Sequence, residues 1–451
     1  MEIRVPRFMI AAPNSGSGKT TVTCGILKAL INLKYQPAAF KAGPDYIDPM
    51  FHSRVVGTKS RNLDLFMLGK DTCRYLLAKN SKDAKVSVLE GVMGYYDGVG
   101  TKGDCSAYSL AKETETPVIL VVDAKGASLS LAPLIKGFLN FRSDSNIQGV
   151  ILNNITPMTF AYYKDAIEEE TGVPLLGYMP KMENCGFESR HLGLITAEEI
   201  NDLQTIVERL AKQALETINI DALIEIARKA APLEITAPAI PYIGNVKIAV
   251  AQDKAFCFYY QDSLDLLCEM GAEIVPFSPL KDLKVPNCDG LILGGGYPEL
   301  YAKELSENKN MLVSIKKYIQ DKKPCLAECG GFMYLLDQYI DDENQVWQWV
   351  GAIKGEVQMT RKLKRFGYIT LEAQTDNVLA KKGEKINAHE FHYSDSTANG
   401  EGFLATKSTS AARWECINAD DNLCAGYPHM HFYGNINFAE NFIRACYNNK
   451  D

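Results

Sequence analysis

The stretch RFMIAAPNSGSGKTTVTCGILKALINLK (7–34) decides the fold. An apolar run ends at Pro13, a turn with glycines at 16 and 18 follows, and a helical pattern begins at once. A chain that turns from a buried strand straight into a helix leaves several backbone N–H groups pointing at one spot. Gly16 and Gly18 let that backbone wrap a phosphate. In this arrangement Lys19 reaches the β- and γ-phosphates and Thr20 offers its hydroxyl to Mg²⁺. Ser15, Gly16, Ser17, Gly18, Lys19, Thr20 and Thr21 are the expected nucleotide-binding set. The usual pattern has a glycine five residues before the Gly-Lys pair. Pro13 stands there, and Gly16 and Gly18 supply the turn instead.

Outward from the loop, short apolar runs, most of them rich in Val, Ile or Leu, alternate with helical stretches as far as about residue 180. The runs are PAAFKAG (37–43), KVSVLEG (85–91), PVILVVDA (117–124), IQGVILNN (147–154) and VPLLGYMP (173–180). Strands without polar alternation are buried on both faces, so a parallel sheet covered by helices is predicted. Residues 196–231 read as helical. A stretch with three prolines, APLEITAPAIPYIGN (231–245), resists helix and sheet and marks a linker. A second alternation then begins with VKIAVAQD (246–253), AEIVPFS (272–278), DGLILGGG (289–296) and KPCLAECGG (323–331). The expected domains are 1–235, a linker over 236–245, and 246–451, both α/β.

Ligands gather at the carboxyl edge of such sheets. Asp45 and Asp48 lie in KAGPDYIDP (41–49), Glu90 ends a strand, Asp97 follows in MGYYDG (93–98), and Asp123 ends VILVVD. Burying an unpaired carboxylate is costly, so acids closing apolar strands point to a site with a metal. Lys41 is either a solvated rim charge or an anion clamp near the phosphoryl group.

In the second half, LAECGGFMYL (326–335) has the form of a nucleophile elbow, with Cys329 at its tip and small neighbours relieving the crowded turn. A helix amino terminus there favours the thiolate; a buried structural cysteine is the alternative. GGGYPEL (294–300) offers backbone N–H donors for an oxyanion, from Gly295 and Gly296 together with Gly330. A thiol nucleophile needs an imidazole close in space. Of six histidines, His389, His392, His429 and His431 all follow residue 385. GYPHMHFYG (426–434) reads as a strand end with two candidate bases on one face, and no zinc-like ligand spacing accompanies them.

The 451 residues suit two or three domains, and 46% apolar with 23% charged residues is globular composition. A net charge of 48 − 55 = −7, with no long basic run, argues against nucleic acid and anionic membranes as partners. No segment nears the ~20 apolar residues of a membrane span. The apolar run near the amino terminus is too short for a signal peptide. Twelve cysteines without a Cys-x-x-Cys pair read as reduced thiols. A cytoplasmic protein is expected.

Taken together, SGSGKTT, KAGPDYIDPMFH (41–52), LEGVMGYYDG (89–98), GGGYPEL, AECGGFMYL, HEFHYS (389–394) and HMHF resemble the cobyrinic acid a,c-diamide synthases, in order through nearly the whole chain. The resemblance implies an amino-terminal ATP-dependent amidoligase with a fold like dethiobiotin synthetase, joined to a class I glutamine amidotransferase domain. It implies that Cys329 attacks glutamine and releases ammonia. In class I relatives a glutamate follows the base by two residues. That spacing makes His429 the base and puts His431 in the glutamate's place; the roles stay open between the two, with a slight preference for His431 beside the apolar Phe432. It further implies MgATP as phosphoryl donor, with Thr20, Asp45 and Glu90 on Mg²⁺. Tyr46, Asp48 and Asp97 would lie at the reacting carboxylate with Lys41 among the substrate-binding residues, and Asn153 near the nucleotide base. The implied partners are a corrinoid or related tetrapyrrole, glutamine and ATP, with a homo-oligomer possible. Hydrogenobyrinic acid and nickel-sirohydrochlorin are alternative substrates. A partition-type ATPase switch is the alternative outside enzymology, although Asn14 and Ser15 occupy the region where such proteins carry an extra lysine.

Overall fold

The computed structural model describes residues 1–183, 185 and 197–450. The chain divides into two compact units, Met1–Ala237 and Pro238–Asp451. The division falls inside the proline-rich stretch, whose Leu233–Glu234 forms a short strand pairing with Glu2–Ile3.

In the first unit the apolar runs and one further segment become β1 (Arg7–Ala11), β2 (Pro37–Ala42), β3 (Ser60–Leu63), β4 (Val86–Glu90), β5 (Val118–Asp123), β6 (Ile147–Asn153) and β7 (Leu175–Met179). They form a parallel sheet in the order β3-β2-β4-β1-β5-β6-β7. Every residue of β1 is buried, as expected of a central strand covered on both faces. Edge strand β3, SRNL, has no apolar run, and only its pairing with β2 makes it a strand. Register fixes the site: β4 pairs with β2 so that Lys41 faces Glu90, and with β1 so that Ile10 faces Glu90. The helical stretch appears as Ala197–Thr217 and Ile220–Arg228, while residue 196 lies outside the described residues.

Arg7, at the far end of β1, is fully buried. Its guanidinium donates to the carbonyls of Val5, Thr114, Glu115 and Ala231 and to the Thr116 hydroxyl. These bonds satisfy a charge that the interior would otherwise reject. They also tie the central strand to the last residues of the unit.

The second unit carries β8 (Val246–Ala251), β9 (Ala272–Phe277), β10 (Gly290–Leu293), β11 (Cys325–Glu328), β12 (Arg365–Ala373), β13 (Lys385–His392), β14 (Leu423–Gly426) and β15 (His429–Met430). A sheet in the order β9-β8-β10-β11-β14 is parallel, with Asn418–Ala419 antiparallel at its edge. The second alternation therefore produces the expected α/β layer. Residues 336–416 depart from it, folding largely into a mixed four-stranded sheet and a five-stranded antiparallel sheet. The latter contains β12, β13 and β15, and it carries His429 opposite His389.

Candidate active sites

The first site lies where β1, β2 and β4 end. Helix α1 (Lys19–Asn32) starts directly after the glycine turn, and Gly16 and Gly18 hold φ of 83° and 90°, values that favour glycine. A side chain at Gly18 would strike Asn153, whose amide nitrogen donates to the Ser17 carbonyl at 3.0 Å. Asn153 thus braces the loop from the end of β6, and its Nδ2 is committed to that task. Asn14, Ser15 and Gly16 are exposed at the loop tip, Ser17 is buried with its hydroxyl on the Asn14 carbonyl, and Thr21 is half-buried in the first turn of α1. Lys19 folds back over the loop, its ammonium donating to the carbonyls of Asn14 at 3.3 Å and Met93 at 2.5 Å.

Glu90 organises the charges. Its side chain is fully buried, and Oε1 accepts from Thr20 Oγ1 at 2.7 Å and from Lys41 Nζ at 2.9 Å. His52 Nε2 lies 3.2 Å from Oε2. Burial raises the carboxyl, but the Lys41 charge and the bonds from His52 and Thr20 win and hold it well below the usual carboxylate range. Lys41 also pairs with Asp48. Its charged form is strongly favoured, since Glu90 and Asp48 outweigh burial. The expected solvated rim charge is therefore corrected: the ammonium is buried and paired with two carboxylates inside the protein. Burial, opposed by Lys41 and assisted by Glu90, pushes Asp48 up to about 6. Burial and the Lys41 charge together bring Lys19 down to about 8, against the pull of Glu90, Asp48 and Asp97.

The remaining acids separate. Asp45 Oδ1 accepts from the backbone N–H groups of Ile47 and Asp48 at 2.8 and 3.1 Å, fixing the turn into the helix Ile47–Phe51, which Tyr46 immediately precedes. Asp97 is exposed and caps the Gly94 N–H. Asp123 is an ordinary loop acid, exposed and accepting from Lys125 N and Asn154 Nδ2, so it leaves the expected cluster. His52 was not singled out by sequence reasoning. It ends the KAGPDYIDPMFH run, and a histidine there gives no signal until the fold brings it to Glu90.

Thr20 Oγ1 and Glu90 Oε1 make an adjacent pair of hard oxygen donors, which suits Mg²⁺. Among the described residues no group of three His, Cys, Asp or Glu side chains could hold a metal by itself. The donor set fits an ion completed by phosphate oxygens and water, the usual mode for Mg²⁺.

In the second unit the chain leaves β11 at Glu328 and enters helix α2 (Gly330–Leu335) through Cys329, whose φ of 49° and ψ of −108° are the strained turn of an elbow. The backbone requires its small neighbours. A side chain at Gly331 would lie 2.0 Å from the Leu293 carbonyl, and one at Gly330 would strike Pro298 and approach the Gly296 nitrogen. The glycine loop after β10 therefore packs directly on the elbow. A side chain at Gly295 would lie 2.7 Å from His429 Cε1.

His429 is buried and hydrogen-bonds the Cys329 side chain. Its Nδ1 lies 3.7 Å from Glu328 Oε2. Burial pushes this imidazole down, but Cys329 and Glu328 outweigh it and push it up to about 10. The arrangement favours a protonated imidazole beside the sulfur. His431 points elsewhere, which overturns the preference for it and the expectation of one shared face. After Met430 the chain turns into the 3₁₀ segment Phe432–Gly434, and His431 caps it, accepting from Tyr433 N at 3.3 Å. Its ring stacks on Tyr260 with centroids 4.9 Å apart. In HEFHYS, His389 faces His429 across β13 and β15, while His392 stacks on Tyr427 and contacts Glu390 at 2.9 Å.

Two family models match, a CobQ/CobB/MinD/ParA nucleotide binding domain over residues 8–195 and a CobB/CobQ-like glutamine amidotransferase domain over 247–436. The cobyrinate a,c-diamide synthase of Caldanaerobacter subterraneus subsp. tengcongensis is 40% identical over 97% of this chain and 98% of its own length. The chain belongs to the cobyrinate a,c-diamide synthase family. The corresponding enzyme of Fusobacterium nucleatum is 42% identical over 96% of this chain and 99% of its own. Both the motif resemblance and the α/β pair of domains are borne out. No helix among the described residues is long and apolar enough to cross a membrane.

Proposed function

We propose that this chain amidates the a and c side-chain carboxylates of cobyrinic acid, taking nitrogen from glutamine and energy from ATP. The observation that carries the reading is the pairing, in one polypeptide, of a cysteine elbow engaged by His429 with a phosphate loop backed by Lys19, Thr20 and Glu90.

At the elbow the Cys329 thiolate attacks the side-chain amide carbon of glutamine. His429, charged beside it, gives its proton to the departing nitrogen, and ammonia leaves a glutamyl thioester that water cleaves to glutamate. Backbone N–H groups of Gly295, Gly296 and Gly330 stabilise the oxyanion. At the other site the backbone of residues 15–21, with Lys19, holds the triphosphate, and Asn153 keeps the loop in shape. Thr20 and Glu90, with Asp45 as the further expected ligand, would hold Mg²⁺, which would neutralise phosphate charge. A substrate carboxylate oxygen attacks the γ-phosphorus and ADP leaves. Ammonia then attacks the acyl carbon, the bond from that carbon to the phosphate oxygen breaks, and the nitrogen gives up one proton to leave the amide and free phosphate. Asp48, ionised above about pH 6, and Asp97 with Tyr46 orient the acceptor or the ammonia. Each amide consumes one ATP and one glutamine, so the cycle runs twice.

Ammonium is no nucleophile, and an acyl phosphate is lost to water. Generating ammonia in the chain that makes the anhydride protects both. The test is incubation with glutamine, MgATP and, separately, cobyrinic acid, hydrogenobyrinic acid and nickel-sirohydrochlorin, with product masses read. Two successive acid-to-amide conversions on cobyrinic acid support the reading, and inactivity with all three overturns it.

A further inference from the structure

We propose that Glu328, the residue immediately before the nucleophile, is the acid that orients His429, doing the work that a glutamate two residues past the histidine would otherwise do. The inference rests on the glutaminase reading above. The position two residues past His429 holds His431, a neutral-favouring imidazole that burial pushes down to about 3 and that stacks on Tyr260, away from the sulfur. No carboxylate comes from there.

Glu328 fills the need from the other side. Its Oε1 accepts from the Met430 backbone N–H at 3.0 Å, which clamps the strand end carrying His429. Its Oε2 then lies 3.7 Å from His429 Nδ1, while the same imidazole engages Cys329. One carboxylate thus holds the backbone next to the base and faces one ring nitrogen, leaving the other for the thiol. Strand alternation explains the choice. Residues 328 and 329 would point to opposite sheet faces in a regular strand. The left-handed turn at Cys329 breaks that alternation, and both side chains meet the same ring. The titratable groups facing His429 are Cys329 and Glu328 from the elbow and His389 from β13. His389 is kept neutral, pushed down to about 3 by burial and by the His429 charge, so Glu328 is the one carboxyl group of the set.

Glu328 is a positioning residue, and Glu328→Gln separates its charge from its structural bond. Glutamine keeps an oxygen for the Met430 N–H but cannot stabilise the imidazolium. The readout is the pH profile of kcat/KM for glutamine hydrolysis, together with the rate at which iodoacetamide alkylates Cys329. E328Q is expected to move the alkaline limb down by about one pH unit or more, as loss of a nearby opposite charge does. It should lower kcat by about tenfold or more with KM little changed. E328D, which keeps the charge, should retain the alkaline limb. A limb in E328Q coinciding with that of the unaltered protein, or one displaced equally in E328D and E328Q, overturns the proposal. Cys329→Ala keeps the two readings distinguishable. Glutamine hydrolysis surviving in C329A sinks the glutaminase reading itself, whereas loss in C329A with an unmoved limb in E328Q sinks only the role of Glu328.

Discussion

Lys41 Nζ stands 2.9 Å from Glu90 Oε1, and neither side chain has appreciable contact with water. Removing one member of such a pair leaves a buried charge without compensation, at a cost of about 3–5 kcal/mol. Lys41→Met is therefore expected to lower the urea midpoint sharply, and Lys41→Met with Glu90→Met to recover much of it. Amidation should remain lost in both. Urea unfolding and product assays read the two effects, and a stable, active K41M would remove the pair from the site.

The phosphate loop predicts a pH profile. Lys19, brought down to about 8, loses its charge above that pH, so kcat/KM for ATP should fall through about pH 8. Lys19→Arg should abolish that limb, because guanidinium keeps its proton. Asp48, at about 6 against an ordinary 3.8, binds its proton more tightly when folded. Its stabilising contribution is complete below about pH 4 and is lost as pH rises through 6. Asp48→Asn should flatten that slope in thermal unfolding measured from pH 4 to 7.

The two histidines of HMHF should separate by experiment. His429→Asn is expected to cost glutamine hydrolysis about a hundredfold or more, as loss of a general acid–base group does. His431→Gln should leave the hydrolysis profile in place and act mainly on stability, through the lost stack on Tyr260. Equal losses of kcat from both variants would contradict the assignment.

Close packing around the elbow gives a backbone test. Gly295→Ala would place a methyl group 2.7 Å from His429 Cε1, closer than real side chains stand. Ring or loop must shift, and glutamine hydrolysis should fall with little change in ATP binding. Retained hydrolysis would show that the loop has room to move.

Much of this was legible in the sequence because strand, turn and helix follow one another along the chain. The glycine turn before Lys19 and the elbow around Cys329 are local, and their neighbours dictate their conformation. What escaped depends on contacts between distant segments. β3 is a strand only by pairing with β2, and His52 matters only once β2 and β4 bring Glu90 to it. Lys41 stayed open between a rim charge and an anion clamp because register, not composition, sets it opposite Glu90. The choice between His429 and His431 turned on the 3₁₀ segment Phe432–Gly434, which His431 caps and which alternation cannot reveal. The strands of 336–416 mix polar and apolar positions, which short-range patterning does not resolve.

Fold integrity rests partly on Arg7. Replacing it by Met leaves several buried carbonyls unpaired, at about 1–3 kcal/mol each. A fall of roughly 10 °C in the unfolding temperature of the first unit is expected by calorimetry. An unchanged transition would mean that those carbonyls find other donors.

The division of labour between the two sites is tested most directly with Cys329→Ala, supplied with cobyrinic acid and MgATP and with either glutamine or a high concentration of ammonium salt. Product mass should show no amidation from glutamine and two amidations from ammonia. Loss of product from both nitrogen sources, in protein that remains folded, would contradict the account.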